Sequence, residues 1–417
     1  MNVRSSAAVL AAVAVIGAAA PAAADSSPSP SPSRQALPSA LYGKSDPQYD
    51  GVWRQSLALL AQHTVGAEPP KAAVDWLTGQ QCADGSFAPF RADTGTPCDA
   101  KTMVDTNQTA AAVQALAALG GHDAVTGKAV DWLKSVQNKD GGWGYTADGA
   151  SDANSTSVVV GALAAAGEKP AEVVKDGKSP YDALLKLALP CDTRGDGAGA
   201  FAFQPDKKGE LVANADATAA GVAGSLGAGL VVEPGKGKGK AADAACEKAT
   251  TPEQAAANGA AHLTDALAAD GHLVSSLPGA EDQPDYGNTA DAVVALAAQG
   301  ATEPAAKSAA WLEKNAADWA AQSGPAAYAQ LIFAAHATGT DPRAFGGTDL
   351  VKQLTAAGPA AQAADTSGEK NGQEQKDEKE KDDSGSSSDV WWAVGSCLVA
   401  GIGIGFLVSG RNKRRKP

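Results

Sequence analysis

Polar clusters alternate with alanine-rich runs along most of the chain. The clusters are Asp105-x-Asn107-x-Thr109, Asp152-x-Asn154-x-Thr156, Asn214-x-Asp216-x-Thr218 and Asp285-x-x-Asn288-Thr289. After each of them, apolar side chains recur three and four positions apart, which is the spacing of one face of a helix. Polar side chains of this kind accept hydrogen bonds from the free N–H groups of a first helical turn. Each cluster therefore predicts the start of a capped helix.

A second kind of helix is predicted between these, because one segment occurs twice. The copies are Lys71-Ala72-Ala73-Val74-Asp75-Trp76-Leu77 with Gln81, Asp84, Gly85 and Phe87, and Lys128-Ala129-Val130-Asp131-Trp132-Leu133 with Gln137, Asp140, Gly141 and Trp143. Glycine permits the left-handed backbone that ends many helices, so the Asp-Gly turn closes each copy. Weaker copies follow, and together they predict about six helix pairs in an array of repeats. The predicted fold class is all-α, with no run of residues typical of strands.

Both ends of the chain predict export and anchoring. Residues 1–24 combine a basic start at Arg4, an alanine-rich run and a small-residue cleavage site, which is the pattern of a signal peptide. Residues 390–409 carry no charge and, as a helix, are long enough to cross a bilayer core. The basic tail at 410–417 favours a cytoplasmic C-terminus. We therefore expect a single-pass protein of the cell membrane with an extracellular ectodomain.

Two flanking segments are not expected to fold. Residues 25–45 form a Pro/Ser-rich spacer, and residues 361–389 form a charged stalk with almost no apolar side chains. The folded domain is therefore placed at 46–360. Charges of the stalk and the tail nearly cancel, so the net charge of −13 belongs to this domain. A negative ectodomain argues against nucleic acid as a partner.

Four of the five cysteines lie in the predicted ectodomain: Cys82, Cys98, Cys191 and Cys246. An oxidising compartment favours disulfides there. Four cysteines allow three connectivities, and proximity along the chain favours Cys82–Cys98 and Cys191–Cys246. Their spacing matches no zinc pattern.

The repeated segment resembles a motif of a known superfamily. Lys128, Gln137, Gly141 and Trp143 have the spacing of the Gln-Trp motif of the prenyltransferase and squalene-cyclase repeat, and the earlier copy has Phe87 in place of the tryptophan. The resemblance implies an (α/α)6 toroid, in which six inner helices line a cavity and six outer helices surround them. It also implies that the glutamine and the aromatic residue are structural and link neighbouring repeats.

The catalytic motifs of this superfamily are missing from the sequence. Squalene-type cyclases protonate their substrate with Asp-x-Asp-Asp, whereas the nearest string here is Asp105-Thr106-Asn107-Gln108. Protein prenyltransferases hold zinc through Asp-x-Cys, which this chain lacks. None of the five histidines pairs with another at the spacing of metal ligands. The sequence therefore predicts no metal and no cofactor, and it leans against an enzyme.

A toroid without catalytic motifs still has a cavity. The secreted cobalamin carriers resemble this arrangement of signal peptide, disulfides and α/α barrel. By that resemblance we expect a membrane-anchored extracellular protein that captures a small-molecule ligand, cobalamin-like or isoprenoid, and presents it to a membrane transporter. The candidate ligand-binding residues lie at the polar helix starts: Asp105, Asn107, Asp152, Asn154, Asp285, Tyr286 and Asn288.

Two other functions stay open. A terpenoid cyclase or prenyltransferase-like enzyme with non-standard catalytic residues needs a carboxylate that faces an aromatic-lined cavity. The eight tryptophans are expected in the membrane span and the outer helices, where they make a poor lining. A structural cell-surface protein has a filled ring with no pocket.

Overall fold

A computed structural model of the chain describes residues 37–237, 246–275 and 282–359. The described residues from Pro38 onward belong to one compact unit. The predicted signal peptide, membrane span, stalk and basic tail lie outside the described residues. Within the part that is described, no helix is both long enough and apolar enough to cross a membrane.

The described residues are predominantly helical, as predicted for an all-α fold. The helices are α1 (Gly51–Thr64), α2 (Lys71–Gly79), α3 (Thr106–Leu119), α4 (Asp123–Ser135), α5 (Ala153–Ala165), α6 (Pro180–Leu187), α7 (Ala215–Ser225), α8 (Pro252–Leu267), α9 (Tyr286–Gln299), α10 (Thr302–Asn315), α11 (Ala317–Ser323), α12 (Pro325–Thr338) and α13 (Leu350–Ala356). A short 3-10 helix, Pro170–Glu172, lies between α5 and α6.

Six of these helices form a closed ring. Helices α1, α3, α5, α7, α9 and α12 each pack against the next in this order, and α12 packs against α1. Helices α2, α4, α6, α8, α10 and α13 alternate with them along the chain, and each packs against one or two members of the ring. Six inner and six outer helices agree with the predicted toroid.

The inner helices are alanine-rich because they are packed on several sides. In α3 every residue from Thr106 to Leu116 is buried, whereas in the outer helix α4 burial is restricted to one face. Where α5 meets the segment after α7, a Cβ added to Gly161 would come within 2.7 Å of the Cα of Gly229. Only small residues allow backbones to approach this closely, so the composition and the ring are linked.

The glutamine of the repeated motif joins consecutive repeats. The Nε2 atom of Gln81 donates to the carbonyl oxygens of Gly85, at 3.0 Å, and Val125, at 2.8 Å. Gln137 repeats this arrangement, with bonds of 2.8 Å to Gly141 and 3.1 Å to Val173. In both copies the first bond closes the Asp-Gly turn and the second reaches the following repeat. These contacts support the structural role implied by the resemblance.

Both disulfides favoured by proximity are confirmed. Cys82 pairs with Cys98 and Cys191 with Cys246, and each pair has a Cα–Cα distance of 5.6 Å. Cys82–Cys98 closes the loop between α2 and α3, whereas Cys191–Cys246 joins the loop after α6 to the segment before α8.

One element was not predicted. Strands β1 (Leu273–Ser275) and β2 (Gln283–Asp285) form an antiparallel pair in front of α9. Three residues per strand are too few for an alternating pattern to be visible in the sequence. The pair nevertheless matters for the site, because β2 leads directly into the first residue of α9.

Candidate functional site

A cavity of about 760 Å³ lies inside the ring. All six inner helices contribute to its wall, through Trp53 and Leu57 (α1), Asn107 and Gln114 (α3), Asn154, Ser157 and Val158 (α5), Asp216, Ala219, Ala220 and Ala223 (α7), Tyr286, Gly287, Asn288, Asp291 and Val294 (α9), and Ala326, Ala327, Gln330 and Phe333 (α12). The β1–β2 pair and α11 add Ser275, Gln283, Asp285, Trp319 and Gln322. Sites for small molecules are commonly concave cavities of this size.

The first residue of each polar cluster caps an inner helix. The side chains of Asp105 and Asp152 accept hydrogen bonds from the backbone N–H groups of Gln108, at 2.7 Å, and Ser155, at 2.6 Å. Asn214 and Asp285 do the same for α7 and α9. Such caps satisfy N–H groups that have no partner within the helix. The predicted capped helix starts are confirmed.

The threonine of each cluster binds the turn that follows the preceding outer helix. Its hydroxyl oxygen accepts a hydrogen bond from a buried backbone N–H. The pairs are Phe87 to Thr109 at 3.0 Å, Trp143 to Thr156 at 3.1 Å, Phe201 to Thr218 at 3.0 Å and Leu273 to Thr289 at 3.0 Å. The two sequence patterns thus meet in space, since each inner helix is fixed to the turn of the outer helix before it.

The position two residues after each cap faces the cavity. It is occupied by Asn107, Asn154, Asp216 and Gly287, and all four line the wall. Three of the four residues are polar, so α3, α5 and α7 present an amide or carboxyl group to the same cavity.

Five of the seven predicted ligand-binding residues line the cavity: Asn107, Asn154, Asp285, Tyr286 and Asn288. The other two, Asp105 and Asp152, are not part of the wall; they are buried behind it as helix caps. Burial raises the pKa of Asp105 to about 7 and that of Asp152 to about 6. Whether any of these residues binds a ligand stays a prediction.

Two carboxyl groups that were not among the candidates are central to the wall. The Nδ2 atom of Asn154 donates to Asp216 at 2.5 Å, and Gln330 Nε2 donates to both oxygens of Asp291, at 3.3 and 3.2 Å. Burial and the nearby carboxyl of Asp291 raise the pKa of Asp216 to about 8. Burial also raises the pKa of Asp291 to about 7, against the lowering effect of its bond from Gln330.

Asp216 was visible in the sequence, whereas Asp291 was not. Asp216 occupies the same place in its cluster as Asn107 and Asn154 do in theirs, so aligning the clusters identifies it. Asp291 lies four residues after Gly287, on the same face of α9, and its equivalents Val158 and Ala220 also line the cavity. Because those equivalents are apolar, no repeated polar pattern marks this position in the sequence.

An aromatic wall faces the cavity near α9. Tyr286 stacks on Trp319 with ring centroids 5.6 Å apart, and on Trp311 at 5.3 Å. Trp53 and Phe333 also line the cavity. The expectation that the tryptophans lie away from the cavity is therefore wrong for Trp53 and Trp319. Trp319 was missed because α11 is an extra helix outside the repeat.

The charges of the wall are all of one sign. Among the described lining residues, the ionisable acids are Asp216, Asp285 and Asp291, and none is lysine, arginine or histidine. The described residues contain no group of three acidic, histidine or cysteine side chains placed to hold a metal ion. Among the described lining residues, a ligand in this cavity therefore meets carboxyl and amide groups and no cation.

The raised pKa of Asp216 predicts that stability falls as pH rises. Because the folded pKa of about 8 exceeds the ordinary value of 3.8, stability from this group is complete below about 4 and is lost as pH rises through about 8. We expect the change in melting temperature caused by Asp216→Asn to be more favourable at pH 9 than at pH 5, by at least about 4 °C. Thermal denaturation followed by circular dichroism at both values measures this difference. Asp131→Asn, at an exposed site on α4, is the control; an equal pH dependence of the two effects contradicts the assignment.

These features define a class of protein, namely a ring of helices with a polar and aromatic interior. Residues 103–179 match the family model of the squalene-hopene cyclase C-terminal domain. This segment contains α3, α4 and α5 with the first two polar clusters, together with the Gln137–Trp143 turn. The relation to the prenyltransferase and squalene-cyclase superfamily that the Gln-Trp motif predicts is confirmed for these residues. No curated protein matches the chain.

Solved structures that resemble the chain are distant. An ent-copalyl diphosphate synthase from Streptomyces platensis is 18% identical, with a TM-score of 0.43 over 69% of this chain and 50% of the synthase. A protein from Actinoplanes is 15% identical, with a TM-score of 0.46 over 72% of this chain and 93% of its own. A glycosidase is 13% identical, with a TM-score of 0.39 over 69% of this chain and 86% of its own. This chain spans about half the length of the synthase. TM-scores this low transfer no property to it.

Proposed function

We propose that the protein is an extracellular ligand-binding protein that holds a small molecule inside its helical ring. The observation that carries the proposal is the cavity of about 760 Å³, to which every inner helix contributes polar, aromatic or small side chains. A structural protein with a filled ring needs no such space. Buried polar oxygens at the wall also point to a ligand, because Asn107 Oδ1 and Ser157 Oγ have no hydrogen-bond partner among the described residues.

The proposed location is the outer face of the cell membrane. The signal-like residues 1–24 and the uncharged residues 390–409 support export followed by anchoring. The two disulfides support an oxidising compartment. A protein tethered in this way is suited to hand its ligand to a membrane transporter, which is the partner we propose.

The proposed ligand is isoprenoid or cobalamin-like. Alanines of α7 and α12 together with Trp53, Trp319 and Phe333 provide apolar surface for an isoprenoid chain. Asparagine and glutamine side chains on four inner helices provide donors and acceptors for the amide groups of a corrinoid. An isoprenoid is mostly apolar, whereas a corrinoid carries many amide groups, and the wall offers both apolar and amide surface.

A substitution at Gly287 tests whether ligands enter the ring. A Cβ at Gly287 has ordinary contacts, with Trp319 at 3.7 Å and Gln330 at 3.8 Å, so a larger side chain extends into the cavity. We expect a polyprenol or a corrinoid to bind the full chain in calorimetry, and Gly287→Leu to weaken that binding by about 10-fold or more, which is about 1.4 kcal/mol. The matched control is Gly127→Leu on α4, where an added Cβ meets nothing within 4 Å.

The two outcomes are distinct. Binding that Gly287→Leu weakens and Gly127→Leu leaves unchanged supports capture inside the ring. If neither ligand class binds the folded chain, the proposal is wrong and the structural function takes its place.

Acid-initiated cyclisation is a second candidate function, and one observation favours it. Asp216 faces a partly aromatic cavity with a pKa of about 8, so at neutral pH it holds a proton that it is able to donate. The absence of Asp-x-Asp-Asp removes only the usual position of such an acid. Mass spectrometry of a polyprene recovered from the binding experiment distinguishes the functions, because a catalyst returns a cyclised isomer and a carrier returns the polyprene unchanged.

A further inference from the structure

The ring cavity contains acidic groups without a basic partner among the described lining residues. Its ionisable groups are three carboxyls, from the α7 and α9 side, and no described lining residue supplies a cation. Buried carboxyls normally have a cationic partner, because an unpaired buried charge is costly. Here the amide groups of Asn154 and Gln330 take that place at Asp216 and Asp291. An amide does not neutralise a carboxylate, so in the empty cavity protons take the place of a cation, and the pKa values of Asp216 and Asp291 are raised to about 8 and about 7.

A second observation is independent of the carboxyls. Asn107 is only 3% exposed and Ser157 only 6%, both line the cavity, and Asn107 Oδ1 and Ser157 Oγ have no partner within the described structure. Carbonyl-type oxygens accept hydrogen bonds and do not donate them. A ligand that satisfies Asn107 Oδ1 must therefore carry an N–H or O–H donor.

The aromatic wall provides a third element. Tyr286 and Trp319 stack beside α9, the helix that carries Asp291, and both line the same cavity. The faces of tyrosine and tryptophan attract cations and also pack against apolar chains. Carboxyls next to aromatic faces are a common arrangement for the recognition of ammonium groups.

We propose that the ligand of this cavity is an amphiphilic organic cation, whose ammonium group lies between Asp216 and Asp291 and whose apolar body packs on the aromatic and alanine surface. This inference rests on the proposed ligand-binding function and specifies the polar group of the ligand. An ammonium group supplies donors and no acceptors, which matches the two carboxyls and the unpaired oxygens of Asn107 and Ser157. A phosphate, diphosphate or carboxylate has the opposite character and is repelled.

The pH dependence of binding follows from the neighbouring charges. Asp216 is influenced by Asp291 and Asp285 from α9 and its start, and by Asp152 from the start of α5; Asp291 is influenced by Asp285. All of these groups are acids, so each ionisation opposes the next. A cation placed among them favours ionisation, and its binding therefore releases protons between about pH 6 and pH 8. Affinity rises with pH over that interval.

A series of ligands with one chain and three head groups tests the inference. Farnesylamine, farnesol and farnesyl diphosphate differ in charge and share their apolar body. In titration calorimetry of the full chain at pH 7, we expect the amine to bind about 10-fold or more tightly than the alcohol, and the diphosphate to bind least. Repeating the amine titration in buffers of different ionisation enthalpy measures the released protons. The alcohol releases none.

Two isosteric variants locate the ammonium group. Asp216→Asn and Asp291→Asn each remove one carboxyl that becomes ionised when the amine binds, and each is expected to reduce the preference for the amine over the alcohol by about 10-fold. Asp131→Asn on the exposed face of α4 is the matched control and keeps the preference. Melting curves show whether each variant is folded. Proton release is measured on the unmodified chain, so it tests the inference even if a variant does not fold.

The results separate this inference from the function on which it rests. If farnesol binds as tightly as farnesylamine and the amine releases no protons, the cationic ligand is wrong while ligand capture stands. If none of the three compounds and no corrinoid binds the folded chain, ligand capture fails and the inference fails with it.

Discussion

Replacing Trp143 by alanine is expected to lower the free energy of unfolding by about 3–5 kcal/mol, the usual cost of removing a large buried aromatic side chain. Trp143 is fully buried and its indole Nε1 donates to the carbonyl oxygen of Leu133 at 2.7 Å. Alanine leaves an empty volume between two repeats and removes the partner of a buried carbonyl group. Urea denaturation followed by circular dichroism measures the loss.

The preceding repeat supplies the matched control for this prediction. Phe87 occupies the equivalent position and is also fully buried, so Trp143→Phe introduces a side chain that the architecture already accepts. We expect it to cost about 1–2 kcal/mol, because the bond to Leu133 is lost while most of the packing stays. A loss below about 1 kcal/mol for the alanine variant would show that the turn is not a structural link between repeats.

The repeat made the fold predictable because its residues act locally and in the same way each time. The residue at the start of each cluster caps a helix, and the threonine four positions later binds the turn of the preceding outer helix. These contacts recur with fixed spacing, so the sequence contains them as a pattern. Asn107 and Asn154 were found for the same reason, since they occupy one position of that pattern.

The remainder of the site depends on the ring as a whole. Asp291 faces the cavity because it lies four residues after Gly287, but its equivalents in α5 and α7 are Val158 and Ala220, so no repeated polar pattern marks it. Trp319 belongs to α11, which has no counterpart in other repeats. Asp291 and Trp319 contribute to the site through contacts between helices that are distant in the sequence. The sequence alone does not show such contacts.

The missing Asp-x-Asp-Asp motif was informative about the position of an acid and less so about its presence. The acidic strength of a carboxyl depends on its surroundings, and Asp216 acquires a raised pKa from burial and from Asp291 on a different helix. A motif search finds acids whose neighbours are adjacent in sequence. Here the neighbours are adjacent only after the ring has closed.

Replacing Gly141 by alanine is expected to destabilise the protein by about 3 kcal/mol or more, through two separate effects. Gly141 has a φ of +93°, which disfavours any side chain. In addition, an added Cβ would overlap the carbonyl oxygen of Ser179, the residue that precedes α6. The first effect strains the Asp-Gly turn, and the second forces the next outer helix away from it. Chemical denaturation again measures the cost.

Gly167 isolates the strain from the overlap. Its φ of +79° is similarly unfavourable for alanine, but an added Cβ there meets nothing within 4 Å. Gly167→Ala is therefore expected to cost about 1 kcal/mol, and the difference between the two variants reports the close approach of the turn to the following repeat. Equal costs for Gly141→Ala and Gly167→Ala would mean that moving α6 away from the turn costs no stability. A larger cost at Gly141 means that the Asp-Gly turn fixes the distance between consecutive repeats, and that the ring and its cavity depend on a residue without a side chain.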